Sequence, residues 1–325
     1  MKKIIIAFAL IAGIFNGSMD AQADKTYKIF VSQVAEHSAL DSTRMGIVAA
    51  MKKHSIAQGQ NLDFRFESAQ SSPVIAKQIA TKFANDNPDL VIGLGTISAQ
   101  SFIKLAEEQR VKLIFSSITN PLSAGLMKDS THLKDNITGV SNFIELEPQL
   151  ELFKKILPAM KKIGVLYNPG ESNSVSIVKK LEQICPTLGL TLVTQTINKT
   201  SDVAQNVANL IMKTDAIFIS NDNTALSALG NIVSLATKAK KPVFVSDTDA
   251  VEGGALAALG PDQYEIGLQT GEMIVRILQG QKFASQDLEF PNSTKLYVNI
   301  SVAKNLGIEI PHDVLKHAVH VTTVK

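Results

Sequence analysis

The sequence has a single cysteine, Cys185, so no disulfide can form within the chain. Cys185 falls inside a helical pattern, Val175 to Leu188, where a lone cysteine reads as a small buried apolar residue. Charge of one sign is missing too. Thirty-two Lys and Arg against 30 Asp and Glu leave a formal net charge of +2, too weak a field to attract nucleic acid or an anionic membrane. No low-complexity tract interrupts the chain. The apolar stretch Ile4 to Phe15 falls short of the roughly 20 residues a membrane span needs. With Lys2 and Lys3 before it and Ala21-Gln22-Ala23 after it, it reads as a secretory signal peptide over residues 1–23, cleaved after Ala23. No cysteine lies near that site, which excludes a lipoprotein anchor. An exported chain without disulfides depends on its hydrophobic core, and 325 residues at 45% hydrophobic content supply one.

Signatures of catalysis and of cofactors are equally sparse. None of His37, His54, His132, His312, His317 and His320 stands at a zinc-binding spacing, and the last three fall in a polar tail. Gly93-Leu94-Gly95 begins like a dinucleotide fingerprint but lacks its third glycine and follows the third predicted strand rather than the first. Gly139-Val140-Ser141-Asn142-Phe143 begins like a nucleophile elbow, with Phe143 where a glycine is required. The expectation is therefore no cofactor, no metal and no enzymatic activity.

What the sequence does contain is a repeat. Asp89 to Ser101 reads as an acid, a short apolar run, a loop of small polar residues and a helix start; Asp215 to Ser227, about 126 positions on, reads the same way. Strands are expected at Lys28 to Ser32, Leu62 to Glu67, within the first repeat, and at Leu113 to Ser117, with helices between them. Ile163 to Asn168, Leu190 to Thr196, the second repeat and Val243 to Asp247 follow in the same order, with a helix running on from the repeat to Lys240. Alternating strand and helix predict α/β architecture: two doubly wound parallel-sheet lobes joined by a hinge. Ile137 to Phe143 reads as a crossover between lobes, and a helix over about 263–278 as a return to the first. The predicted lobes are 24–140 plus about 262–290, and 141–261 plus about 291–325.

Open parallel sheets bind ligands beyond the strand C-terminal ends, so the polar residues there are the candidates. In the first lobe these are Thr96, Ser98, Ser117 and Thr119, with Glu36 and His37 in the first strand–helix loop. In the second they are Asn168, Asp222, Asn223, Thr224 and Asp247; Ser141 and Asn142 lie in the crossover. Hydroxyls and helix N-termini on one edge suit a carboxylate, and acids on the other suit an ammonium group, so a cleft between them fits a zwitterion. Asp247 is the expected ammonium partner, with Thr96, Ser117 and Thr119 receiving the carboxylate. The same residue types are also the preferred helix caps.

The loops Glu36-His-Ser-Ala-Leu-Asp41, Gly95-Thr-Ile-Ser-Ala-Gln100, Thr119-Asn-Pro-Leu-Ser-Ala-Gly125, Thr138-Gly-Val-Ser141, Gly164-Val-Leu-Tyr-Asn-Pro-Gly170 and Asp222-Asn-Thr224 resemble those of the ABC transporter substrate-binding proteins associated with tryptophan and tyrosine uptake. Gly253-Gly-Ala-Leu-Ala257 and Leu296-Tyr-Val-Asn299 extend the resemblance across nearly the whole chain. It implies a type I periplasmic binding fold with three crossovers. It also implies a monomeric periplasmic receptor for a small zwitterionic solute, an aromatic amino acid favoured, that delivers it to the membrane subunits of an ABC permease. Asn120 stands where the family more usually has Asp, and Ser38 where Pro is common. Both departures leave room for a different ligand. The rival readings are an enzyme on the same two-lobe scaffold, a sensor feeding a membrane receptor, and a transcription regulator of similar fold, against which the export signal counts.

Overall fold

The strand–helix alternation folds into two α/β lobes. The computed structural model describes residues 25–283 and 287–321, and the signal-peptide expectation lies outside the described residues. In the first lobe β1 (Tyr27–Gln33), α1 (Ser38–Lys53), β2 (Leu62–Ser68), α2 (Pro73–Asn85), β3 (Leu90–Leu94), α3 (Thr96–Glu107), β4 (Leu113–Ile118) and β5 (Ile137–Ser141) build a parallel sheet of order β2-β1-β3-β4-β5. Helices cover both faces, which is why every residue of β3 and β4 is buried and β3 carries no polar side chain. Pro73 opens α2 at a position where an amide would have no partner within the helix, and Ser72 caps it by accepting from the Ile75 amide. Phe30, Phe83, Phe102 and Phe115 fill this core.

The second lobe begins with α4 (Leu146–Ile156), β6 (Lys162–Tyr167), α5 (Ser172–Thr187), β7 (Thr191–Thr196), α6 (Val203–Ile211), β8 (Ala216–Ile219), α7 (Asn223–Ser227), α8 (Leu229–Lys238), β9 (Val243–Val245) and β10 (Ala257–Gly260). Then α9 (Gln263–Leu278) returns to the first lobe and packs along α1, with His54 bonded to Glu272. The chain crosses back to finish the second lobe with β11 (Lys295–Asn299), α10 (Ile300–Leu306), α11 (His312–His317) and β12 (Val319–Val321). The second sheet runs β12-β11-β10-β9-β8-β6-β7, with β11 antiparallel to β10. Phe153 stacks on Phe244 at 4.3 Å and meets Phe218 at 5.2 Å in its core.

Reading each sheet from its second strand gives one order twice, β2-β1-β3-β4-β5 and β7-β6-β8-β9-β10. The sequence repeat is thus a repeat of topology. Both lobes have their switch point beside the first strand, and there the strand C-terminal ends open a crevice.

Three expectations need correction. Ile137 to Ser141 is not a crossover but strand β5, and the chain crosses only after it. Gly139 suggested a loop, yet it is required inside the strand: a Cβ there would sit 2.1 Å from the Phe115 carbonyl oxygen. The helix expected to run to Lys240 is two helices, α7 and α8, separated at Ala228. The polar tail holding His312, His317 and His320 is ordered as α11 and β12, because Val314 and Val321 are buried in the second lobe. Cys185 is buried in α5 as expected, and burial pushes its thiol up to about 11.

Candidate functional site

Between the two switch points lies a small, tightly lined cavity. From the first lobe come His37, Ala39, Leu40, Thr96, Ser117 and Thr119; from the second, Asn173, Asn221, Asn223, Leu226 and Asp247; from the crossings, Asn142 and Gln263. Larger hollows exist on the surface, one of about 1000 Å³ along α9. Three residues of the inter-lobe cavity wall carry buried polar atoms without partners among the described residues: His37 Nδ1, Asn173 Oδ1 and Asn221 Oδ1. Buried polar groups left unpaired are costly, so their convergence marks a place where a polar ligand completes the structure.

The first-lobe wall is built by backbone geometry. Gly95 caps α3 at φ +83, and a Cβ there would meet Val34 Cγ1 at 2.3 Å, so only glycine permits this turn. No side chain caps α3, whose first residue, Thr96, lines the cavity. Its N-terminal amides and the helix dipole make an anion site. Ser117 sits at a bulge between β4 and β5 with φ +56, a conformation uncommon outside glycine and typical of functional sites. The bulge turns its hydroxyl to Thr43 at 3.1 Å and to Gln263 Oε1 at 3.0 Å. Thr119 donates to Asn142 Oδ1 at 3.1 Å and accepts from Asn221 Nδ2 at 3.1 Å.

The second-lobe wall is built by carboxylates. Asp247 is 3% exposed and accepts a 2.6 Å bond from Gln263 Nε2. Burial, with Asp249 nearby, pushes its carboxyl up to about 7, and among the described residues no cation pairs with it. Asp222 is turned away from the cavity: it accepts from the amides of Asn168 and Ala225, as the N-cap of α7. Burial and the neighbouring Glu171 raise its pKa as well. Glu171 is fully buried and receives the amides of Asn223 and Thr224.

The candidates therefore divide. His37, Thr96, Ser117, Thr119, Asn142, Asn223 and Asp247 come together on the cavity wall. Glu36 is exposed outside it. Ser98 is bonded to Ser32 behind the wall, and Ser141 to the Ile118 carbonyl at the crossing. Asn168 and Thr224 are bonded to each other inside the second lobe. Asn120 is held in its own turn with Ser123, and Ser38 is exposed, so neither departure from the family pattern lines the cavity. Asn173, Asn221 and Gln263 were missed. Gln263 had a signal, being the first residue of a helix entered through Gly260-Pro261; Asn173 and Asn221 had only their places near strand ends.

The lobes touch through side chains: His37 Nε2 and Asn223 Oδ1 at 3.2 Å, Ser42 to Asp249 at 2.8 Å, and Asn221 to Thr119. Comparison with known proteins bears on this arrangement. A family model described as ABC transporter substrate binding protein matches residues 28–322. The crystal structure of an ABC domain in complex with L-Trp from Streptococcus pneumonia is 32% identical, covers 92% of this chain and all of its own, and superposes with a TM-score of 0.86. A ligand-free, open substrate-binding protein with adhesive properties from Clostridium difficile has the same coverage and 33% identity but a TM-score of 0.67. At near-equal identity and coverage, the chain superposes more closely on the L-Trp complex than on the open, ligand-free structure. A tyrosine-binding protein from Clostridioides difficile is 29% identical over 90% of this chain and 85% of its own.

Proposed function

The chain belongs to the ABC transporter substrate-binding protein family, and from that premise we propose that it is a non-enzymatic receptor that closes its two lobes on one zwitterionic amino acid, an aromatic one favoured. The observation that carries this reading is Asp247, a buried carboxylate on the wall of the inter-lobe cavity with a side-chain amide but no cation against it. An ammonium group supplies the missing charge. The ligand carboxylate goes to the uncapped N-terminus of α3 and the Thr96 hydroxyl. Ser117 and Thr119 have their hydroxyls committed to Gln263 and Asn142, so they orient those amides rather than grip the carboxylate directly. Leu40 and Leu226 offer apolar surface to the side chain. The relatives named for tyrosine and found with L-Trp support the aromatic class.

Residues 1–23 direct export and are removed, and the mature protein works as a periplasmic monomer that delivers its ligand to the membrane subunits of an ABC permease. The lobes divide as 24–140 with about 262–290, and 141–261 with about 291–325, the three crossings between them bending as ligand enters. N-terminal sequencing of exported protein is expected to begin at Asp24.

The test is native mass spectrometry of the protein as purified, followed by calorimetry with L-tyrosine and L-tryptophan. A bound mass equal to an amino acid and saturable heat are expected. A bound sugar, or turnover of the bound solute, would contradict the reading.

A further inference from the structure

Glu171 touches no ligand-facing space, yet two of the residues that do are held by it. Its carboxylate receives five hydrogen bonds: from the Asn223 amide at 3.0 Å, Asn223 Nδ2 at 2.5 Å, Asn173 Nδ2 at 3.3 Å, the Thr224 amide at 3.0 Å and Thr224 Oγ1 at 2.8 Å. We propose that Glu171 is a positioning residue. Acting through Asn223 and Asn173, it fixes His37 as the Nε2–H tautomer and turns His37 Nδ1 and Asn173 Oδ1 into acceptors that select ligands carrying a hydrogen-bond donor besides the ammonium group. The inference rests on the amino-acid reading above.

A carboxylate oxygen accepts, and five donor contacts converge on the two oxygens of Glu171. Both asparagines must therefore present their NH2 groups to Glu171, which settles which end of each amide is which. One hydrogen of Asn173 Nδ2 goes to the Asn221 carbonyl at 2.6 Å and the other is shared between Glu171 and Ser174 Oγ, both at 3.3 Å, so Asn173 Oδ1 is left buried and unpartnered. Asn223 Oδ1 faces His37 Nε2 at 3.2 Å, and an amide oxygen cannot donate, so Nε2 carries the hydrogen. A neutral imidazole has one N–H. His37 Nδ1 is therefore a bare acceptor, and it too is buried without a partner. Burial holds the imidazole well below its ordinary range, at about 4, despite Asp41 nearby, which agrees with a neutral ring. His37 belongs to the first lobe, while Asn223 and Glu171 belong to the second, so the tautomer is set only when the lobes meet.

An ammonium group has three N–H: with one given to Asp247, two remain for three buried acceptors, His37 Nδ1, Asn173 Oδ1 and Asn221 Oδ1, so a ligand without a second donor leaves at least one unsatisfied, at a cost large enough to discriminate. Calorimetry near pH 7.5 with matched pairs reads this directly: L-tyrosine against L-phenylalanine, and L-tryptophan against 1-methyl-L-tryptophan. The donor-bearing member of each pair is expected to bind about 10- to 100-fold tighter. In Glu171→Gln, which brings a donor where five donors already converge, the ratio is expected to fall to within about threefold while L-phenylalanine still binds. A long-range nitrogen–proton NMR correlation on ligand-saturated protein should show His37 protonated at Nε2. Should Glu171→Gln fail to fold, the spectrum and the wild-type ratios decide alone. Pairs that bind within twofold of each other, or a His37 protonated at Nδ1, overturn the proposal and leave the amino-acid reading standing. No heat with any of the four overturns both.

Discussion

On the first-lobe side of the cleft the polar wall is an uncapped helix N-terminus with hydroxyls around it; on the second-lobe side it is carboxylates and carboxamides. The two sides come from the same strand order and the same strand–loop–helix unit. The turn after β3 leaves α3 without a capping side chain. The matching turn after β8 is filled by the protein's own acids, Asp222 capping α7 and Glu171 taking the amides of Asn223 and Thr224. Of these two matching turns, only the one after β3 leaves its helix amides without a carboxylate of the protein's own. On the second lobe, the acid left over is Asp247, which has no partner of opposite charge among the described residues. Topology decides where the site is, and a few loop residues decide which charge each wall accepts.

Removing the second-lobe charge is the harshest way to break this asymmetry. Asp247→Asn keeps size and hydrogen bonding but leaves the ligand ammonium unpaired in a buried site, at a cost of roughly 3–5 kcal/mol. Calorimetry should register a loss of about two to three and a half decades in affinity for the amino acid.

Protonating the same group is the next largest perturbation. Asp247 titrates at about 7, so binding of the ammonium group should weaken below that pH, by up to about tenfold per pH unit. Measured between pH 8 and pH 5, the range keeps His37, at about 4, neutral throughout. The ligand-free protein should respond in the opposite sense. The folded pKa of Asp247 is raised above the unfolded value, so between about 4 and 7 the folded state holds the extra proton, and this group's contribution to stability is lost as pH rises. The ligand cancels that loss, so its thermal stabilisation should be larger at pH 8 than at pH 5. Asp247→Asn should remove the difference, although Asp222 remains.

Weakening the first-lobe wall should matter least. Thr96→Ala removes one neutral donor beside the α3 amides, and titration should show a loss of roughly 0.5–1.5 kcal/mol. A loss as large as that of Asp247→Asn would mean that the hydroxyl, not the helix N-terminus, holds the carboxylate.

Much of this was legible in the sequence. Buried parallel strands announce themselves as apolar runs, and the Asp89 and Asp215 stretches carried the internal repeat. Gly139 misled because close approach to Phe115 and a loop turn ask for the same residue. At the site, rules of position found Asp247 and Thr96 but could not separate wall from support. Asp222 and Thr224 stand beside Asn223 in sequence, yet they point into the second lobe, where they bind Asn168 and Glu171. Gln263 and Asn173 enter the site from the start of helices, where a polar residue reads as an ordinary cap. Which way a side chain faces is a property of packing between elements, and local pattern does not contain it.

The central claim is that the charge of Asp247 meets the ligand's ammonium group, and a binding cycle addresses it. L-tyrosine and its des-amino analogue 3-(4-hydroxyphenyl)propionate would each be titrated calorimetrically into the wild-type protein and Asp247→Asn at pH 8. The account predicts that the substitution costs L-tyrosine roughly 3–5 kcal/mol and costs the analogue nothing, or improves its binding, because the analogue has no ammonium group to lose its partner. If both ligands lose the same amount, or neither loses any, Asp247 is a structural acid at the crossing and the ammonium group is held elsewhere.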